Sequence, residues 1–187
     1  MEQESEKERM PTGSDPRSER LRSLARFHAD VDARAAELAA RHASRLQCRR
    51  GCSACCQDEL SVTRVEADLI RAVHGELLAE GEPGPAGGCA FLDADGACRI
   101  YHERPLVCRT QGLPLRVFLE DESEEIVEKR DICPLNVEGG PPLASLESED
   151  CWLVGPDELR LVSMNDAHCG EDSRRVLLRA LFRRPSC

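Results

Sequence analysis

The stretch CRRGCSACC, residues 48–56, sets four thiols in nine positions. Thiolates ligate zinc and iron–sulfur clusters, and short spacing lets one segment supply several ligands. Cys89 and Cys98 in CAFLDADGAC, Cys108 in RPLVCR and Cys133 in CPLN join the group by context. Cys48, Cys52, Cys55, Cys56, Cys89, Cys98, Cys108 and Cys133 are therefore the candidate metal ligands. Eight thiols make two tetrahedral four-sulfur sites, or one site with thiols to spare. Consecutive side chains point apart, so Cys55 and Cys56 are expected to serve two centres, or two metals of one cluster. Arg49, Arg50, Arg99, Arg104 and Arg109 lie within five residues of these cysteines. They suit the neutralisation of an anionic thiolate centre and hydrogen bonding to its sulfurs.

Iron and zinc divide the signals. Three cysteines in C-x3-C-x2-C spacing suit three corners of a four-iron, four-sulfur cluster, and Cys133-Pro134 matches the cysteine-proline ending of some ferredoxin ligand runs. Cys89 and Cys98 across a hairpin look like a zinc knuckle. The expectation is an iron–sulfur cluster, a zinc ion, or one of each. The same spacing occurs in radical S-adenosylmethionine enzymes. Here a long helix precedes it, Ala54 stands where those enzymes place an aromatic, and too little chain follows for their barrel. No Ser-His-Asp constellation, H-E-x-x-H or glycine-rich cofactor loop is visible.

Composition bounds the rest. Of 187 residues only 3% are aromatic and 32% are charged, so the eleven cysteines are expected to help hold the fold together. The opening MEQESEKERM lacks the apolar core of a secretory signal, and no apolar run approaches a membrane span. A cytoplasmic chain with reduced thiols follows as the expectation, and dense cysteines there read as metal or redox chemistry. The net charge of −10 argues against nucleic acid as a partner. EDESEEIVEKRD, residues 120–131, concentrates acids and reads as a solvated hairpin.

The elements that must position the thiols follow from periodicity and punctuation. Residues 1–15 read as a disordered leader, and 16–187 as one domain: helix 16–47, metal-binding core 48–137, helical segment 138–187. Leu21, Leu24, His28, Val31, Ala35, Leu38 and His42 form one stripe of the first helix. This helix and the acidic hairpin are the places where a protein partner would dock. Thr63 and Glu66 form a capping box for a second helix ending at Gly81, with Val65, Leu69, Ala72, Val73 and Leu77 as its buried face. Residues 89–101 predict a hairpin turning at Asp93-Ala94-Asp95-Gly96, with Phe91 opposite Cys98. Pro105 starts a short helix that Gly112 ends. Cys108 falls in its first turn, where the macrodipole favours a thiolate. A second hairpin precedes Cys133, and helices are expected near 156–166 and 172–183. Cys151 reads as a packing residue and Cys187 as a free thiol, with His168-Cys169 a weak half-site. The fold class is α+β, predominantly helical, with a small metal-stapled cysteine core and short hairpins.

C-x3-C-x2-C-C, then GACRIYHERPLVCR, then CPLN resembles the YkgJ-like CxxCxxCC family of zinc- or iron-chelating cysteine-cluster proteins. The resemblance spans about residues 46–137. It implies that the eight cysteines match the family's positions and that Tyr101, Arg104, Pro105 and Arg109 match its I-Y-x-x-R-P-x-x-C-R signature. Tyr101, Arg104 and Arg109 thereby become candidate cofactor-binding residues. A related cysteine segment occurs in flagellin lysine methylases. The function expected is a metal-binding redox, electron-transfer or metal-handling accessory. A module with purely structural zinc and an iron–sulfur-dependent modification enzyme are the alternatives.

Overall fold

In the computed structural model, residues 15–170 and 172–182 are described. The leader expected at 1–15, apart from Asp15, and the thiol of Cys187 lie outside them. Helix α1 (Pro16–Arg41) begins on a cap: Asp15 accepts from the amides of Arg17 and Ser18, with Pro16 in the first turn. Every residue of the expected stripe is buried, and Phe27 joins it. The helix stops at Arg41, short of the expected residue 47. A turn follows, held by buried Arg45, whose Nη2 donates to the carbonyls of Val137 and Pro141 at 3.3 and 2.6 Å.

β1 (Ser61–Val62) leads into α2 (Arg64–Val73) and α3 (Gly75–Glu80). The expected single helix is broken at His74. The capping box is formed: Glu66 Oε2 accepts from Thr63 N at 3.0 Å and from its hydroxyl at 2.7 Å. Burial of α2 is wider than one face, because it lies between two apolar cores. Val65 and Leu69 pack with Leu24, Val31, Leu106, Trp152 and Leu161 in the first core. Ala67 and Ile70 pack with Phe91, Ile100, Leu178 and Leu181 in the second. Ala72, expected on the buried face, is exposed.

α4 (Leu106–Arg109) is a single turn after Pro105. β2 (Leu115–Glu120) and β3 (Ile126–Asp131) form the expected antiparallel hairpin, with Leu115 opposite Asp131. β4 (Trp152–Leu153) adds to β2 in parallel, giving the order β3-β2-β4. Cys151, beside Trp152, is buried as expected. α5 (Pro156–Cys169) closes the first core through Leu161.

The helix expected near 172–183 is absent. β5 (Val176–Leu177) instead pairs with β1, and residues Leu178–Phe182 form a 3₁₀ turn. In a 3₁₀ helix side chains at i and i+3 eclipse, so Leu178 and Leu181 enter the second core together. Burial of this leucine pair overrides the local helical signal of the leucine-rich run. The protein is thus mixed helix and sheet, 44% helical and 13% strand, with a long N-terminal helix.

Candidate metal centre

Cys48, Cys52, Cys55, Cys56, Cys89, Cys98 and Cys108 line one cavity of about 520 Å³. Three chain segments supply them: the 48–56 loop, the 89–98 turn and α4. Cys133 does not line it. It sits behind Cys48, joined through Asn136, a fully buried residue that its own CPLN motif carries. Asn136 N donates to the Cys133 carbonyl at 2.8 Å, and its Nδ2 reaches the Gly112 carbonyl at 2.8 Å and Cys48 Sγ at 3.5 Å. Its Oδ1 accepts from Gln47 N at 2.8 Å. One amide therefore ties Cys48, the Gly112 turn and the Cys133 turn together. Gly112 has φ +94, and a Cβ there would lie 2.5 Å from Cys48 Sγ, so only glycine fits beneath this thiol.

Cys55 and Cys56 line the same cavity. The rule that neighbours point apart holds for strands and helices. Here Cys56 N donates to the Ser53 carbonyl at 2.9 Å and Gln57 N to that of Cys55 at 3.1 Å, a tight double turn that brings both residues to the cavity wall. The proximity of the two thiols holds Cys55 down at about 6 and, with burial, pushes Cys56 up.

The 89–98 segment turns where expected but forms no strands. Asp93 Oδ1 accepts from the amides of Asp95 and Ala97, closing the turn. A single bridge pairs Leu92, not Phe91, with Cys98. Arg99 locks the base of the loop through the carbonyls of Glu82 and Ala90, both at 2.8 Å. Both cysteines still reach the cavity, where burial pushes their thiols up.

The macrodipole does not make Cys108 a thiolate. Burial, and then the neighbouring Cys89, Cys98 and Cys55, push it up to about 12. A single turn of helix has too few aligned peptides to offset that desolvation.

Arg49, Arg50, Arg104 and Arg109 line the cavity, and among the described residues no Asp or Glu does. Tyr101 also lines it, 59% exposed, with the Arg104 guanidinium 4.2 Å from its ring centroid. Asp32 of α1 takes both Arg104 and Arg109. Arg109 is buried and also donates to the His102 carbonyl at 2.7 Å and to His28 Nδ1 at 3.1 Å. Because a guanidinium only donates, His28 Nδ1 accepts and Nε2 carries the hydrogen, facing Glu66 Oε1 at 3.7 Å. Burial, with Arg109, lowers the His28 pKa and keeps it neutral. Glu66 Oε1 accepts from Leu106 N at 2.8 Å, fixing the start of α4 and so Cys108. Asp32, His28 and Glu66 are the positioning residues missed as such in the sequence. A buried arginine beside Cys108 requires a carboxylate, and Asp32 lies one turn after His28.

The remaining candidates lie outside this cavity. His42 Nε2 contacts the Asp150 carbonyl at 2.7 Å, and His168 Nε2 the Asp68 carboxylate at 3.0 Å. Cys169 Sγ lies 3.6 Å from Asn165 Oδ1. Among the described residues, no group of three or more His, Cys, Asp or Glu is placed to hold a metal ion as it stands. The thiols ring a space rather than meet at a point. The donor set nonetheless fits a soft cation. Neighbouring thiols help raise Cys56, Cys98 and Cys108, a repulsion that a cation among them reverses. No described helix is long and apolar enough to cross a membrane.

Comparison with curated proteins and with solved structures finds no match. Residues 47–134, which carry all eight grouped cysteines, match the family model CxxCxxCC, "putative zinc- or iron-chelating domain".

Proposed function

We propose that the protein binds metal through its grouped cysteines, that the centre is an iron–sulfur cluster, and that it serves a redox or metal-handling role in the cytoplasm. One observation carries this reading: seven thiols and four arginines surround one cavity from which carboxylates are excluded. Soft ligands select zinc or iron, and the guanidiniums offset the charge of a thiolate centre. A structural zinc site is closed by its four ligands, whereas about 520 Å³ leaves room for a polynuclear centre. The eighth cysteine, Cys133, is held near Cys48 by Asn136 and serves as a further ligand or as support for that thiol.

A second reading, a catalytic centre with an open metal position, draws on the apolar wall of the same cavity. Leu60, Phe91, Leu92, Ile100 and Leu178 line it, and small-molecule sites are mostly apolar with a few convergent polar groups. Iron, zinc and acid-labile sulfide in protein purified without oxygen test both readings, with absorption and electron paramagnetic resonance of the reduced sample. Iron and sulfide in equal amounts with a reversible visible band are expected. Colourless protein with stoichiometric zinc, no sulfide and no cluster after reconstitution overturns the iron reading. A reduced spectrum that small molecules perturb favours the open position.

A further inference from the structure

A second cavity, of about 310 Å³, lies where the first turns of α1, the start of α2 and the end of α5 meet. It is separate from the cysteine cavity and shares no lining residue with it. Arg17, Arg20 and Arg64 line it together with Asp68, Asp172 and His168. The carboxylates are already engaged. Asp68 accepts from Arg17 at 3.0 Å, from Arg71 at 2.8 Å and from His168 Nε2 at 3.0 Å. Asp172 accepts from Arg64 at 2.7 Å and from Arg174 at 2.8 Å. Five guanidiniums thus surround two carboxylates in a protein whose net charge is −10.

Two buried nitrogens at this cavity lack partners. Arg20 makes no hydrogen bond or ion pair among the described residues, and its Nε is fully buried. His168 has a side chain only 5% exposed, and its Nδ1 has no partner. A buried donor or acceptor left unmade is costly, so an arginine and a histidine lining one cavity in this state point to a ligand. A guanidinium fork matches a tetrahedral or carboxylate oxyanion. With Nε2 held by Asp68, Nδ1 is the ring nitrogen of His168 left to meet such an anion.

We propose that this cavity is a binding site for a phosphate-type oxyanion, with Arg20 as its principal ligand and His168 Nδ1 as a second polar contact. Arg17 and Arg64 keep their carboxylate partners and supply the surrounding positive charge.

Inorganic phosphate is the probe, titrated into the full chain by calorimetry and by thermal melting, with sodium chloride at matched ionic strength as the reference. Saturable binding is expected, with a rise in melting temperature that chloride does not give. Arg20→Gln should weaken binding about tenfold or more, since a charge-assisted contact is lost. Without phosphate it should melt like the parent, because Arg20 holds nothing among the described residues. Arg26→Gln, exposed on the same helix, should bind phosphate as the parent does. The proposal is overturned if phosphate acts no differently from chloride, or if Arg20→Gln binds as tightly as the parent.

Discussion

Glu66→Ala is the most informative single change, because one buried carboxylate connects the capping box, the N-terminal helix and the turn that carries Cys108. The Glu66 side chain is 4% exposed. Its removal leaves Thr63 N and Leu106 N without acceptors inside the protein and takes a counter-charge from Arg109. Each orphaned donor costs about 1–3 kcal/mol, and breaking a buried charged cluster about 3–5 kcal/mol in all. For a chain of this length each kcal/mol moves the melting temperature by about 2–4 °C, so a fall of about 6–20 °C is expected. Calorimetry of the metal-bound protein measures it. Glu66→Gln keeps one acceptor and should fall between. Burial pushes the Glu66 carboxyl up, but His28, Leu106 N–H and Thr63 together hold it below its ordinary 4.5. Its stabilisation is therefore complete above pH 4.5 and lost as pH falls through the lower folded value. Stability below pH 4.5 should drop more steeply in the parent than in Glu66→Gln. Release of metal to a chelator should quicken in Glu66→Ala, since α4 loses its anchor. A melting change under about 2 °C, or unchanged metal release, would refute the coupling.

Gly112→Ala forces a side chain at φ +94 against Cys48 Sγ, and should lower both melting temperature and metal content; Gly75→Ala, with nothing within 4 Å, serves as the control that should keep its metal. In reduced, metal-free protein, mass spectrometry of iodoacetamide adducts should find Cys55 alkylated before Cys108, with a rate midpoint near its pKa of about 6. Equal rates at pH 7 would contradict the effect of each thiol on the other. Arg179 donates to Asp58 and to the carbonyls of Gly84, Pro85 and Gly88, so Arg179→Met should free that loop, read as faster proteolysis between residues 82 and 89.

What was legible in the sequence was local. The stripe of α1, the Thr63–Glu66 box and the 115–131 hairpin depend on periodicity and on contacts a few residues apart, which a linear reading captures. The grouping of the thiols was legible as well, because spacing alone marks it. The direction of Cys55 and Cys56 was not, since it depends on a turn closed through Ser53. Likewise the 89–98 segment is shaped by Asp93 and Arg99, whose bonds to nearby backbone replace a strand ladder. The role of residues 176–182 was least visible. Their leucine-rich run favours helix locally, and the distant Leu60–Val62 segment and the second core draw them into a strand and a 3₁₀ turn. Asp32 was hidden for the same reason: its partners lie more than seventy residues on.

Leu178 lines the cysteine cavity, and Phe182 stacks on Phe91 at 5.0 Å between centroids, yet both lie outside the family segment and well downstream of Cys108. Translation delivers residues in order, at about 5–20 per second. Seven thiols therefore emerge from the ribosome several seconds before the strap that walls their cavity. During that interval the nascent cysteines are open to metal donors, and also to oxidants and to one another. Pairing of β5 with β1 then shuts the second core over whatever has been loaded. The order of synthesis thus sets an order of exposure, the thiols first and the residues that cover them second.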